Sequence, residues 1–131
     1  MIRRKPSNRG KKTSKRRKSR LALRRECDKR FAIAIKQRDN WQCVMCGANH
    51  HVQCAHIVSR RYHATRWLFG NAVTLCARHH MMYTHDPLGW DAWVEARIGL
   101  AGYNELKILA RAGTPWIDYE AVLKSLPEVG E

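Results

Sequence analysis

Apolar side chains are spread unevenly along the chain. Residues 1–20 carry almost none, whereas Leu21, Leu23, Cys27, Phe31, Ile33, Ala34 and Ile35 recur at a spacing that predicts a basic amphipathic helix over residues 21–37. Arg38-Asp39-Asn40 breaks the pattern, and Trp41-Gln42-Cys43-Val44-Met45-Cys46-Gly47 reads as a strand running into a tight turn that glycine suits. Residues 52–58 are apolar and β-branched enough for another strand. Residues 60–71 form a polar connection containing aromatics, and a short helix starting near Leu75 should carry Cys76, His79, His80 and Tyr83. Beyond Asp86-Pro87, the stretches 88–98, 103–112 and 118–126 each read as helical, divided by Gly99, Gly102, Gly113 and Pro115. No internal repeat is visible. These elements predict an α+β fold, and 131 residues suit one compact domain.

Charge changes this picture at one end. Residues 1–30 hold 15 of the 25 Lys and Arg and two of the 11 acids, so residues 31–131, with 10 bases and nine acids, are nearly neutral. The chain therefore reads as a basic arm on a neutral body, and residues 1–20 are expected to be disordered because they can bury nothing and repel one another. No apolar run approaches the ~18 residues of a membrane span, and the arm lacks the apolar core of a secretory signal, so a soluble cytoplasmic protein without a membrane partner is expected. Five cysteines, an odd number with one tight pair, suit metal binding in a reducing compartment better than a disulfide framework.

Cys43-x-x-Cys46 offers two thiolates from one turn, and Cys76-x-x-His79 offers a thiolate and an imidazole 30 positions later. Paired half-sites at this spacing point to a tetrahedral Cys₃His structural Zn²⁺. The competing readings are a redox pair or merely buried thiols. Cys54 and Cys27 are read as small core residues, and the tryptophans with Met81 and Met82 as core packing. Zinc by itself fits a binding module as well as an enzyme.

Between and after the half-sites stand Cys54-Ala55-His56-Ile57, Arg66-Trp67, Asn71-Ala72-Val73-Thr74-Leu75-Cys76 and His79-His80. Over residues 38–99 this order resembles the HNH (ββα-metal) endonucleases, more narrowly the phage-associated, zinc-containing ones. The resemblance implies a β-hairpin and helix clamping one divalent ion, and hydrolysis of phosphodiester bonds in DNA. It gives His56 the general-base position, Asn71 the residue that holds the hairpin, and His80 a ligand position for a catalytic Mg²⁺, Mn²⁺, Ni²⁺ or Zn²⁺. If the protein is phage-encoded, its compartment is the host cytoplasm. The family usually carries Asp or His before the base, where this chain has Ala55. His85 is the available substitute ligand, unless it merely caps a helix end, and a repositioned His56 is the other.

His50 and His51 are read as turn residues and His63 as a loop residue rather than ligands. Arg60, Arg61 and Arg66 cluster beside the presumed catalytic strand and are candidates for holding phosphate, as are Lys15, Arg16, Arg17 and Lys18 of the arm. The arm would serve RNA equally well, so the expectation of a DNA partner comes from the resemblance. The organisation expected is an arm over residues 1–20, a helix over 21–37, a zinc-stapled core over 38–99 and a helical extension over 100–131. The rival function is a non-catalytic zinc module that binds nucleic acid, whether a degenerate HNH protein or a ribosome-associated one.

Overall fold

The computed structural model describes residues 17–113 and 115–127, so most of the expected arm, including Lys15 and Arg16, lies outside the described residues. The fold is α+β. A two-stranded antiparallel hairpin, β1 (Val52–His56) and β2 (Ala72–Cys76), pairs from Val52 with Cys76 to His56 with Ala72. Among the described residues four α-helical spans surround it: α1 (Arg20–Arg38), α2 (Ala77–Thr84), α3 (Pro87–Arg111) and α4 (Tyr119–Ser125). Among the described residues, no helix is long and apolar enough to cross a membrane.

Each strand of a hairpin has two faces, and here both are covered. Ala55, Val73 and Leu75 join Cys43, Ile57, Val94 and Tyr103 in one cluster, while Ala72 joins Phe31, Ile35 and Leu126 in another, with Cys54 packed against it. Helix α1 thus closes one face, and the cysteine turn and α3 close the other. For that reason all five residues of β2 are buried and its sequence shows no polar alternation.

Helix α1 begins where Ser19 accepts a hydrogen bond from the Ala22 amide and ends at Asp39. Asp39 accepts in turn from the Thr74 amide, while Arg38 donates to the carbonyls of Phe69 and Ala72, so the helix end is fastened to β2. Arg17 and Lys18 are exposed just before it, and Lys18 pairs with Glu26.

Two expectations are corrected. The stretch 41–47 is a succession of turns rather than a strand, because it wraps around the cysteines: the Gly47 amide donates back to Cys43 O, and Gly47 takes φ +75°. Within α3 the stretches 88–98 and 103–112 are two helices that meet at a kink, where Gly99 is non-helical (φ 79°, ψ 158°) as expected, while Gly102 sits inside the second without breaking it. Met81 and Met82 are 66% and 44% exposed and Trp116 76% exposed, so these residues are not core.

Candidate metal centre and histidine cleft

The cysteine turn after α1 and the start of α2 bring Cys43, Cys46, Cys76 and His79 together, with all four ligand atoms within 4.8 Å of one another. Around tetrahedral zinc, bond lengths of about 2.3 Å to sulfur and 2.1 Å to nitrogen imply ligand separations of about 3.8 Å (S···S) and 3.6 Å (S···N). The structure has 3.9 Å between the Cys46 and Cys76 sulfurs, 3.7 Å from Cys43 Sγ to His79 Nδ1, and 3.1 Å from Cys76 Sγ to the same nitrogen. The residues fit a zinc ion, which His79 would meet through Nδ1.

Local chemistry supports the site. Burial pushes the Cys43 thiol up, but backbone amides of Cys76, Cys46 and Met45 outweigh it and hold its pKa below the ordinary value. Cys76 is the N-cap of α2, and its sulfur accepts from the His79 amide at 3.5 Å, so a ligand also starts the helix that carries the next ligand. Cys27 and Cys54 stand apart, and burial raises each thiol to about 11, which keeps both protonated. His50 and His51 line a cleft beside Cys46 and His79 but are outside the ligand cluster.

His56, at the end of β1, and His80, in the middle of α2, line one cleft of about 120 Å³ together with Ala55, Leu75, Tyr83, Thr84 and Trp90. Their tautomers follow from their partners. His56 Nε2 is 2.9 Å from the Arg66 carbonyl, which can only accept, so Nε2 carries the proton and Nδ1 the lone pair. His80 Nδ1 is 2.6 Å from Gln53 Oε1, so with the Gln53 amide in this orientation the His80 lone pair is on Nε2. Among the described residues no fully buried side-chain nitrogen lacks a partner, so neither of these two free nitrogens is sealed from solvent. Burial, reinforced by the nearby Arg60 charge, lowers the pKa of both imidazoles below 6.5; at His56 Arg66 adds to the lowering, while the bond to its carbonyl opposes it.

Asn71 is fully buried at the far end of the long β1–β2 connection. Its Oδ1 accepts from Val58 N, and its Nδ2 donates to the carbonyls of Val58 and Thr65. This holds the connection against the strand end that carries His56.

The arginines divide. Arg60 and Arg61 are exposed, and Arg60 is close enough to act on both cleft histidines. Arg66 is committed elsewhere: its guanidinium pairs with both oxygens of Asp28 at 2.9 and 2.6 Å and donates to Arg60 O. His85 ends α2 and opens onto a different cleft, shared with Gln53, His80 and Met81. Thr84, four residues beyond His80 on the same helix face, lines both that cleft and the His56 cleft, as His80 does. Sequence reasoning misses Thr84, Gln53 and Asp28; the four-residue interval from His80 is the available signal for Thr84.

Among the described residues the Cys₃His set is the one cluster of three or more metal-ligating side chains, and the His56 cleft has no carboxylate in its lining. Compared with known proteins, the chain matches no family model, no curated protein and no solved structure.

Proposed function

We propose that the chain is a zinc-stapled, divalent-metal-dependent DNA endonuclease of the HNH type, working in the cytoplasm, and in the host cytoplasm if phage-encoded. The observation that carries this reading is the pair of neutral imidazoles in one cleft with opposite tautomers, His56 open at Nδ1 and His80 open at Nε2. A neutral imidazole with a free nitrogen can take the proton of an attacking water near pH 7, which is the role of His56. His80 Nε2 is the nitrogen that would hold the ion. A bound divalent ion would neutralise charge on the scissile phosphate and its leaving oxygen. With Ala55 in place of the usual ligand, the remaining coordination falls to water and phosphate oxygens, so binding of the ion should be weak until substrate arrives. Arg60 is placed to hold a phosphate beside the cleft, and the arm supplies affinity for the backbone without reading sequence. Asn71 keeps the connection in register, and DNA rather than RNA rests on the resemblance alone.

A second reading has one observation in its favour. The carboxylate-free cleft also fits a zinc module that binds nucleic acid without cutting it. Incubating the zinc-loaded protein with supercoiled plasmid and Mg²⁺, Mn²⁺ or Ni²⁺, with and without chelator, separates the two: nicking that requires the added ion supports the nuclease, and retention without nicking supports the module.

A further inference from the structure

We propose that Asp28 of α1 is a positioning residue for His56, setting which imidazole nitrogen is bare. This deepens the reading of His56 as a base. The oxygen that accepts from His56 Nε2 belongs to the peptide joining Arg66 to Trp67. That peptide lies in an irregular connection, and the turn bonds on either side of it are long, 3.4 Å from Arg66 N to His63 O and 3.3 Å from Leu68 N to Thr65 O. Its orientation must therefore come from side chains. Both flanking side chains go to one carboxylate: Arg66 Nε and Nη2 donate to the two oxygens of Asp28 at 2.9 and 2.6 Å, and Trp67 Nε1 donates to Oδ1 at 2.9 Å. A bidentate, charge-assisted pair fixes direction as well as distance. The Arg66 side chain is 13% exposed and that of Asp28 26%, so water competes weakly.

Three residues further along the same helix, Phe31 stacks on the His56 ring with centroids 5.6 Å apart. One face of α1 thus grips the imidazole twice, by its plane through Phe31 and by its edge through Asp28 and the Arg66 carbonyl. Without the clamp the peptide is free to turn, and neutral His56 can place its proton on Nδ1, which would leave no base facing the cleft.

Nitrogen-15 NMR of the imidazoles in the zinc-loaded full chain, at a pH where His56 is neutral, tests this directly. The parent should show a single His56 tautomer protonated on Nε2. Asp28→Asn keeps the shape but lacks the second carboxylate oxygen, so His56 should become a mixture of tautomers. In that variant kcat should fall at least about ten-fold, short of the ~10²–10⁴-fold cost of losing a general base, while KM and zinc content stay put. Trp67→Phe removes a single donor and should shift the tautomer in the same direction by less, which keeps the test open if Asp28→Asn does not fold. A parent protonated on Nδ1 overturns the proposal, as does an unchanged tautomer in folded Asp28→Asn, or in Trp67→Phe if Asp28→Asn does not fold. Because the tautomer is read without substrate, the outcome is independent of whether the parent cuts DNA.

Discussion

Replacing Asn71 with Ala removes three hydrogen bonds at once and leaves their partners inside. The side chain is fully buried and bonds Val58 N at 2.8 Å, Val58 O at 3.1 Å and Thr65 O at 2.9 Å. At about 1 kcal/mol net for each bond, the loss comes to about 3 kcal/mol, with more if the Val58 amide finds no water. Against a total of ~5–15 kcal/mol for a small domain, that is a large fraction. The strand pairing itself should survive, because the Ile57 amide bonds the Asn71 backbone carbonyl rather than its side chain. Asn71→Asp sharpens the test. It keeps the acceptor for Val58 N but sets a carboxylate oxygen against two carbonyls, so it should be no more stable than the Ala variant above pH 5. Urea unfolding of the zinc-loaded proteins, followed by circular dichroism, gives the two differences. A loss below about 1 kcal/mol for Asn71→Ala would show instead that other contacts hold the connection, and the role given to Asn71 would be wrong.

Three other outcomes follow from the structure. Cys43→Ser should release zinc and unfold the body, because metal binding in so small a domain is folding free energy; a variant with full zinc content and the parent melting temperature would contradict the ligand set. Removing residues 1–16, which carry much of the chain's excess positive charge, should flatten the dependence of log affinity for DNA on log salt and leave zinc content unchanged; an unaltered slope would assign the arm another purpose. His56 and His80 have folded pKa values below 6.5, so the stability they contribute is present above pH 6.5 and lost as pH falls through those lower values. The cleavage rate should likewise hold down to pH 6.5 and decline only below it, and a profile already falling between pH 8 and 7 would exclude a neutral His56 as the base.

What is legible in the sequence is what spacing encodes. Two Cys/His pairs, each spanning one turn, point to a metal site whatever lies between them, and the structure brings all four ligand atoms together in a cluster that could hold an ion such as zinc. Strand β1 and the short helix α2 are similarly readable, because strand and helix periods are local, whereas β2, buried throughout, has no alternation to show it and the hairpin is implied by the resemblance alone. The turns at 41–47 mimic a strand because Trp, Val and Met around a knuckle resemble an apolar run, while the actual determinant is the ring closed on Cys43 O. Long-range pairing is invisible. In the sequence Arg66 is a neighbour of Arg60 and Arg61 in a phosphate-binding cluster, yet its guanidinium belongs to Asp28, 38 residues away. His85 has the chemical type to substitute for a ligand at Ala55, and it shares a cleft with His80 but does not line the one that holds His56. Helix α1, a segment separate from the core by its sequence, supplies Phe31, Asp28 and Arg38 to the strands and connection around His56.

His56 and His80 are assigned different jobs on one phosphate, and parallel plasmid-cleavage rates for the parent, His56→Ala and His80→Ala across a titration of Mn²⁺ tell those jobs apart. His56 lies outside the zinc set, so His56→Ala should stay folded and zinc-loaded yet lose about 10²–10⁴-fold in rate at every Mn²⁺ concentration. His80→Ala should lose activity that excess Mn²⁺ partly restores, since its missing nitrogen is proposed to hold the ion. Parent-like cleavage by both variants, or no ion-dependent cleavage by the parent, would overturn the nuclease reading.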